Sequence, residues 1–191
     1  LRLMRHERID GVRVVWDDLP GPYQGAFVVG CGARDEEVDQ IGLTSLIVDL
    51  ALDAVDGDED DGDAGSMASF IAASGSPDGV AAYFAECCAT LSDLPLDDMA
   101  VEDDPIDRLL DQSVWAAGCR HPWASLLGRR LGPSGLGLMR WPAVASSEFT
   151  MDEVRAYVAR YFTSDNTVLA LSGAPPEGLR LPLPPGPPAP R

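Results

Sequence analysis

Leu43, Leu46, Ile47, Leu50 and Ala54 recur at helical spacing between Ile41 and Val55. That spacing predicts a helix with one apolar face, and such a face is stable only when another layer covers it. The residues ahead of it supply that layer. Gly11 to Trp16 alternates and is rich in valine, and Gly25 to Cys31 is a short apolar run bounded by glycine, so both read as strands. Leu19-Pro20-Gly21-Pro22 between them is a turn.

After the helix comes an acidic stretch, Asp56 to Asp63. Two strand-like runs follow, Ala68 to Ala73 and Val80 to Ala89, and Gly75-Ser76-Pro77-Asp78-Gly79 between them is expected to make a hairpin. Ile106 to Ala117 reads as a helix opened by Asp104 and Pro105 and stopped by Gly118. Arg120 to Trp141 is irregular and glycine-rich. Thr150-Met151-Asp152-Glu153 is a capping box, and the helix it opens carries Val154, Tyr157, Val158 and Tyr161 on one face. Thr167 to Leu171 is a last buried strand. The order is that of an α+β fold, a mostly antiparallel sheet with helices packed on one face, in one domain over residues 1–173. Residues 174–191 are dominated by proline and are expected to be a linker or a disordered, frayed tail.

The chain has 191 residues, enough for one domain with a substantial core, and no internal repeat. Its formal net charge is -17, and all 14 basic residues are arginine, a bias expected of a GC-rich bacterial genome. So much negative charge repels phosphate backbones and anionic lipid, which argues against nucleic-acid and membrane partners. No apolar run approaches the ~18 residues of a membrane span. Leu1 to Asp10 is too charged for a secretory signal, so a cytoplasmic location is expected, although a numbering that opens on Leu1 suggests the interior of a longer chain. Cys31, Cys87, Cys88 and Cys119 form no disulfide framework and read as reduced, mostly buried thiols. Cys87 and Cys88, adjacent in an expected strand, would point to opposite faces as packing residues.

Several elements in this order carry a resemblance. Val28-Val29-Gly30-Cys31-Gly32-Ala33-Arg34-Asp35-Glu36 is followed by Ile41-Gly42-Leu43-Thr44-Ser45-Leu46-Ile47-Val48-Asp49-Leu50. His121-Pro122-Trp123 lies downstream, and Tyr161-Phe162-Thr163-Ser164-Asp165-Asn166-Thr167 leads to Ser172-Gly173. Over about residues 9 to 173 this resembles the amino-terminal half of an insulinase/pitrilysin-family zinc metallopeptidase, in which a glycine-ended strand leads into Gly-Leu-x-His-x-x-Glu-His on a helix.

The metal motif departs from that pattern. Ser45 stands at the first histidine position, Val48 at the glutamate and Asp49 at the second histidine, so His-x-x-Glu-His is replaced by Ser45-Leu46-Ile47-Val48-Asp49. Serine is a poor zinc ligand, and valine neither binds metal nor accepts a proton. The family's third ligand, a later glutamate, has no counterpart between Ala89 and His121. The resemblance therefore implies a pseudo-peptidase with no catalytic residue, no metal and no cofactor. It would work as a non-catalytic subunit that pairs with an active subunit or a second half-domain and helps shape a peptide chamber. The alternative is a purely structural or assembly subunit that binds no peptide.

Other chemistries are weaker. Only His6 and His121 exist, and His121 reads as a structural residue of a His-Pro turn. Cys119 beside it lacks the further ligands of a zinc site. Ser45, His121 and Asp49 list the members of a protease triad, but a helical serine lacks a nucleophile elbow. In the acidic run Asp53 to Asp63, a calcium loop starting at Asp56 would put Asp61 where glycine is required and Met67 where glutamate closes the site, so a solvated loop is expected. Gly128, Gly132, Gly135 and Gly137 follow no strand and carry no lysine, so they form no phosphate loop.

Overall fold

The computed structural model describes residues 4–53, 55, 61–94, 122–140 and 149–188. Its centre is a six-stranded sheet: β1 (Arg5–Ile9), β2 (Val12–Trp16), β3 (Tyr23–Val29), β4 (Asp61–Ala64), β5 (Ser69–Gly75) and β6 (Thr167–Leu171), in the order β1-β2-β6-β3-β5-β4. β2 and β6 run parallel and every other neighbouring pair is antiparallel. Helices α1 (Leu43–Asp53), α2 (Pro77–Ser92) and α4 (Met151–Tyr161) share one apolar core with the inward residues Val12, Val14, Phe27, Val29, Ile71 and Leu169. α3 (Pro122–Leu131) and a 3-10 turn, Gly135–Arg140, lie in the stretch expected to be irregular. This is the expected α+β layer, mostly antiparallel. No helix among the described residues is long and apolar enough to cross a membrane.

Several local expectations are corrected. The first strand was hidden by its charge, because β1 is an edge strand with four exposed residues. It joins β2 through Asp10 and Gly11, whose φ values of 49° and 90° are those of a tight hairpin turn that Asp-Gly accommodates with little strain. The expected hairpin after β5 is instead the start of α2. Ser76 Oγ accepts the Gly79 N–H at 3.1 Å and Pro77 sits in the first helical turn, so the apparent turn residues are helix-start chemistry. Cys87 and Cys88 therefore lie on a helix, and both are fully buried because α2 is wrapped on a broad arc. Part of the acidic run expected to be a solvated loop forms β4, a strand on the far edge of the sheet. The expected helix Ile106 to Ala117 lies outside the described residues.

The proline-rich end, read as a frayed linker, is packed as far as it is described. Leu179, Leu181 and Leu183 are all buried. Their alternation is the periodicity that the surrounding prolines obscured, and it turns every second side chain toward the core. Asp10 accepts the Leu181 N–H and pairs with Arg180, both at close range. Ser92 Oγ donates to the Pro182 carbonyl, and the Ser164 N–H donates to that of Pro184.

Candidate functional site

The polar chemistry of the helical face gathers where β3 hands over to α1. Past Val29 the chain makes two short 3-10 turns, Ala33–Asp35 and Val38–Gln40, before α1 begins. Such a start leaves amides without intrahelical partners. Glu36, only 6% exposed, supplies the acceptors: one carboxylate oxygen takes the Gly42 N–H at 3.0 Å and the other takes the Thr44 N–H at 2.9 Å. The Thr44 hydroxyl in turn shares a buried 2.8 Å hydrogen bond with Tyr157 of α4. Ser69 Oγ donates to the Cys31 carbonyl, and Tyr161 OH donates to that of Asp35. The bonds of Glu36 and Tyr157 hold the start of α1, and those of Ser69 and Tyr161 hold the segment that leads into it.

The electrostatics of this cluster are those of a buried scaffold. Burial pushes the Cys31 thiol up to about 12, so it carries no reactive thiolate. Burial likewise raises Tyr157 beyond the ordinary tyrosine range, outweighing its bond to Thr44. For Glu36, burial is again the largest influence and raises the pKa, opposed by the hydrogen bonds from Gly42 and Thr44. Replacing Glu36 by Ala strands both amides and is expected to cost about 2–4 kcal/mol in urea denaturation at neutral pH. Linkage adds a pH dependence: with the folded pKa raised, the part of the stability that comes from Glu36 being protonated is present below the unfolded value and lost as pH rises through the folded one, while the carboxylate still accepts the two amides. Glu36→Gln, which does not titrate, is expected to lack that loss.

On α1 itself, Ser45 and Asp49 are half-buried and Val48 between them is 1% exposed. The three motif positions therefore come together on one helix, as their spacing requires. They do not suit zinc: one hydroxyl, one buried isopropyl group and one carboxylate provide a single good oxygen donor and no base between the ligand positions. No group of three or more His, Cys, Asp or Glu among the described residues is placed to hold a metal ion. His6 is far removed in the sheet, exposed on β1 opposite Val15. His121 and Cys119, and with His121 any triad with Ser45 and Asp49, lie outside the described residues, as do positions 56–60 of the acidic run. Gly128 lies within α3, and Gly135 and Gly137 lie in the 3-10 turn after it. What sequence reasoning missed is Glu36 as the anchor of α1 and its link through Thr44 to Tyr157. The only signal was an acid a few residues ahead of a helix.

An open trough of about 490 Å³ lies on the other face of the sheet, floored by Ala26, Ala72 and Ala170, which pair across β5, β3 and β6, and rimmed by Met4 and Leu19.

No family model and no curated protein matches the sequence. Solved structures do match in fold. A peptidase M16 inactive domain from Pseudomonas fluorescens superposes with a TM-score of 0.71 at 13% identity, covering 100% of this chain and 53% of that one. A chain of complex III2 from Candida albicans superposes with a TM-score of 0.72 at 16% identity, covering 95% and 47%. Pitrilysin superposes with a TM-score of 0.71 at 10% identity, covering 93% of this chain and 22% of its own. The chain thus spans about half the length of the first two and about a fifth of the third. Sheet order, the helical layer and these superpositions lead to one conclusion: the chain has the half-domain fold found in the M16 peptidases, pitrilysin among them.

Proposed function

We propose that this chain is a catalytically silent M16-type half-domain, a non-catalytic subunit that pairs with an active protease subunit or a second half-domain and forms part of the wall of its peptide chamber. The observation that carries the reading is the identity of Ser45, Val48 and Asp49 on α1, which leaves the helix intact but without a base or nitrogen ligands. The fold's occurrence as one half of longer chains, one of them an inactive domain, supports pairing. β4 ends the sheet near α1, with Gly62 against Leu52 of that helix, so among the described residues its outer edge offers backbone groups to which an extended peptide can add. In the assembled chamber the partner supplies zinc, glutamate and water, and this chain supplies surface.

A purely structural subunit is the second reading, favoured by the burial of Val48 where a substrate-facing side chain would be open. One titration separates them. The purified chain is added to an active M16 subunit from the same source, and complex formation and peptide turnover are followed together. A complex with an altered KM for peptide supports the chamber role, and a complex with unchanged kinetics supports the structural one. Failure both to bind and to change turnover overturns the proposal.

A further inference from the structure

The proline-rich end is held along its length by the folded domain. Its alternating Leu179, Leu181 and Leu183 are 5%, 0% and 7% exposed, yet it belongs to no strand of the sheet. Proline at 182, 184 and 185 removes the N–H groups a ladder would need. The groove it occupies is built from three separate places: the β1–β2 turn at Asp10, the end of α2 at Ser92, and the connection between α4 and β6 at Thr163 and Ser164. Asp10 reads the Leu181 N–H and the Arg180 side chain. Ser92, the Ser164 N–H and Thr163 each donate to a carbonyl of the segment, on Pro182, Pro184 and Gly186. Main-chain reading of an extended proline-rich segment, with pockets for alternate side chains, is how peptide-binding domains hold their ligands.

We propose that this groove is a peptide-recognition site occupied in cis by residues 179–186, and that the segment is a reversible strap which opens while the rest of the domain stays folded. The ladders among β1 to β6 and the internal bonds of α1, α2 and α4 contain no residue of the strap, so its release breaks none of these hydrogen bonds and uncovers only the part of the apolar core that Leu179, Leu181 and Leu183 cover. The partner that fits the groove is an extended Leu-x-Leu-Pro-Leu segment. A stiff, pre-extended chain of this kind loses little conformational freedom when it docks again.

Native-state hydrogen exchange on the full chain tests this. The Leu181 and Leu183 amides are expected to exchange at least tenfold faster than ladder amides of β3 and β6, with a weaker dependence on denaturant. Asp10→Gly keeps a residue suited to the positive φ of the turn but removes the acceptor. It is expected to speed Leu181 exchange at least a further tenfold while leaving β3 and β6 unchanged. Exchange of Leu181 and Leu183 at the rate and denaturant dependence of the β3 and β6 amides would overturn the proposal, because the segment would then be part of the cooperative core. So would an Asp10→Gly variant that accelerates all of these amides equally.

Discussion

Val48→Glu is expected to lower the unfolding free energy by about 3–5 kcal/mol, a loss read from the urea midpoint at constant m-value. The substitution introduces the acid that an inverted zinc motif carries between its two histidines. It does so at a position 1% exposed to solvent, on a helix that itself carries no basic residue. A carboxylate there gives up its water without an ion to replace it, and burying an unpaired charge is among the most damaging single changes a fold can suffer. The triple variant Ser45→His, Val48→Glu, Asp49→His is for the same reason not a route back to a zinc enzyme. A loss under about 1 kcal/mol for Val48→Glu would mean that the side chain reaches water or a cation, and that the motif helix lines an open site after all.

The second large effect concerns the junction of sheet and helix. Phe84 of α2 is fully buried, stacks on Phe27 of β3 with ring centroids 6.1 Å apart, and meets Tyr83 edge-on at 5.4 Å. Gly25 makes room for it: a Cβ at Gly25 would come within 2.4 Å of the Phe84 ring. Phe84→Ala is expected to cost about 3–5 kcal/mol, since the ring's space is shared by a rigid sheet and a long helix that cannot collapse into it. Gly25→Ala alone is expected to destabilise through the clash. In the double variant the added methyl occupies part of the vacated space, so the loss falls short of the sum of the two single losses. Strict additivity in thermal or urea melts would show that the two sites do not share that volume.

Much of the scaffold could be read before any coordinates. Val12 and Val14 alternate inward, Leu43, Leu46, Ile47 and Leu50 line a helix, and the Thr150–Glu153 capping box starts α4 where its chemistry requires. These are local signals: side-chain period and cap geometry act within a few residues. The errors have equally local causes. Val80, Tyr83, Phe84, Cys87, Cys88 and Leu91 have helical spacing, but Gly75 to Gly79 contains turn residues that serve equally well as a helix cap. β1 was invisible because an edge strand buries little, so its residues answer to solvent more than to the core.

What Ser45, Val48 and Asp49 can offer a metal is likewise legible in the chain, since one hydroxyl, one isopropyl group and one carboxylate supply no nitrogen ligand wherever the helix lies. Tertiary structure alone decided the rest. That Thr44 finds Tyr157 across 113 positions and that Asp10 receives Leu181 across 171 depend on how distant segments are brought together. Composition and periodicity record which side chains must leave water, but not which distant groups will be waiting for them. A hydrogen bond between remote residues is specified by the packing of whole layers, and leaves no pattern in the neighbourhood of either partner.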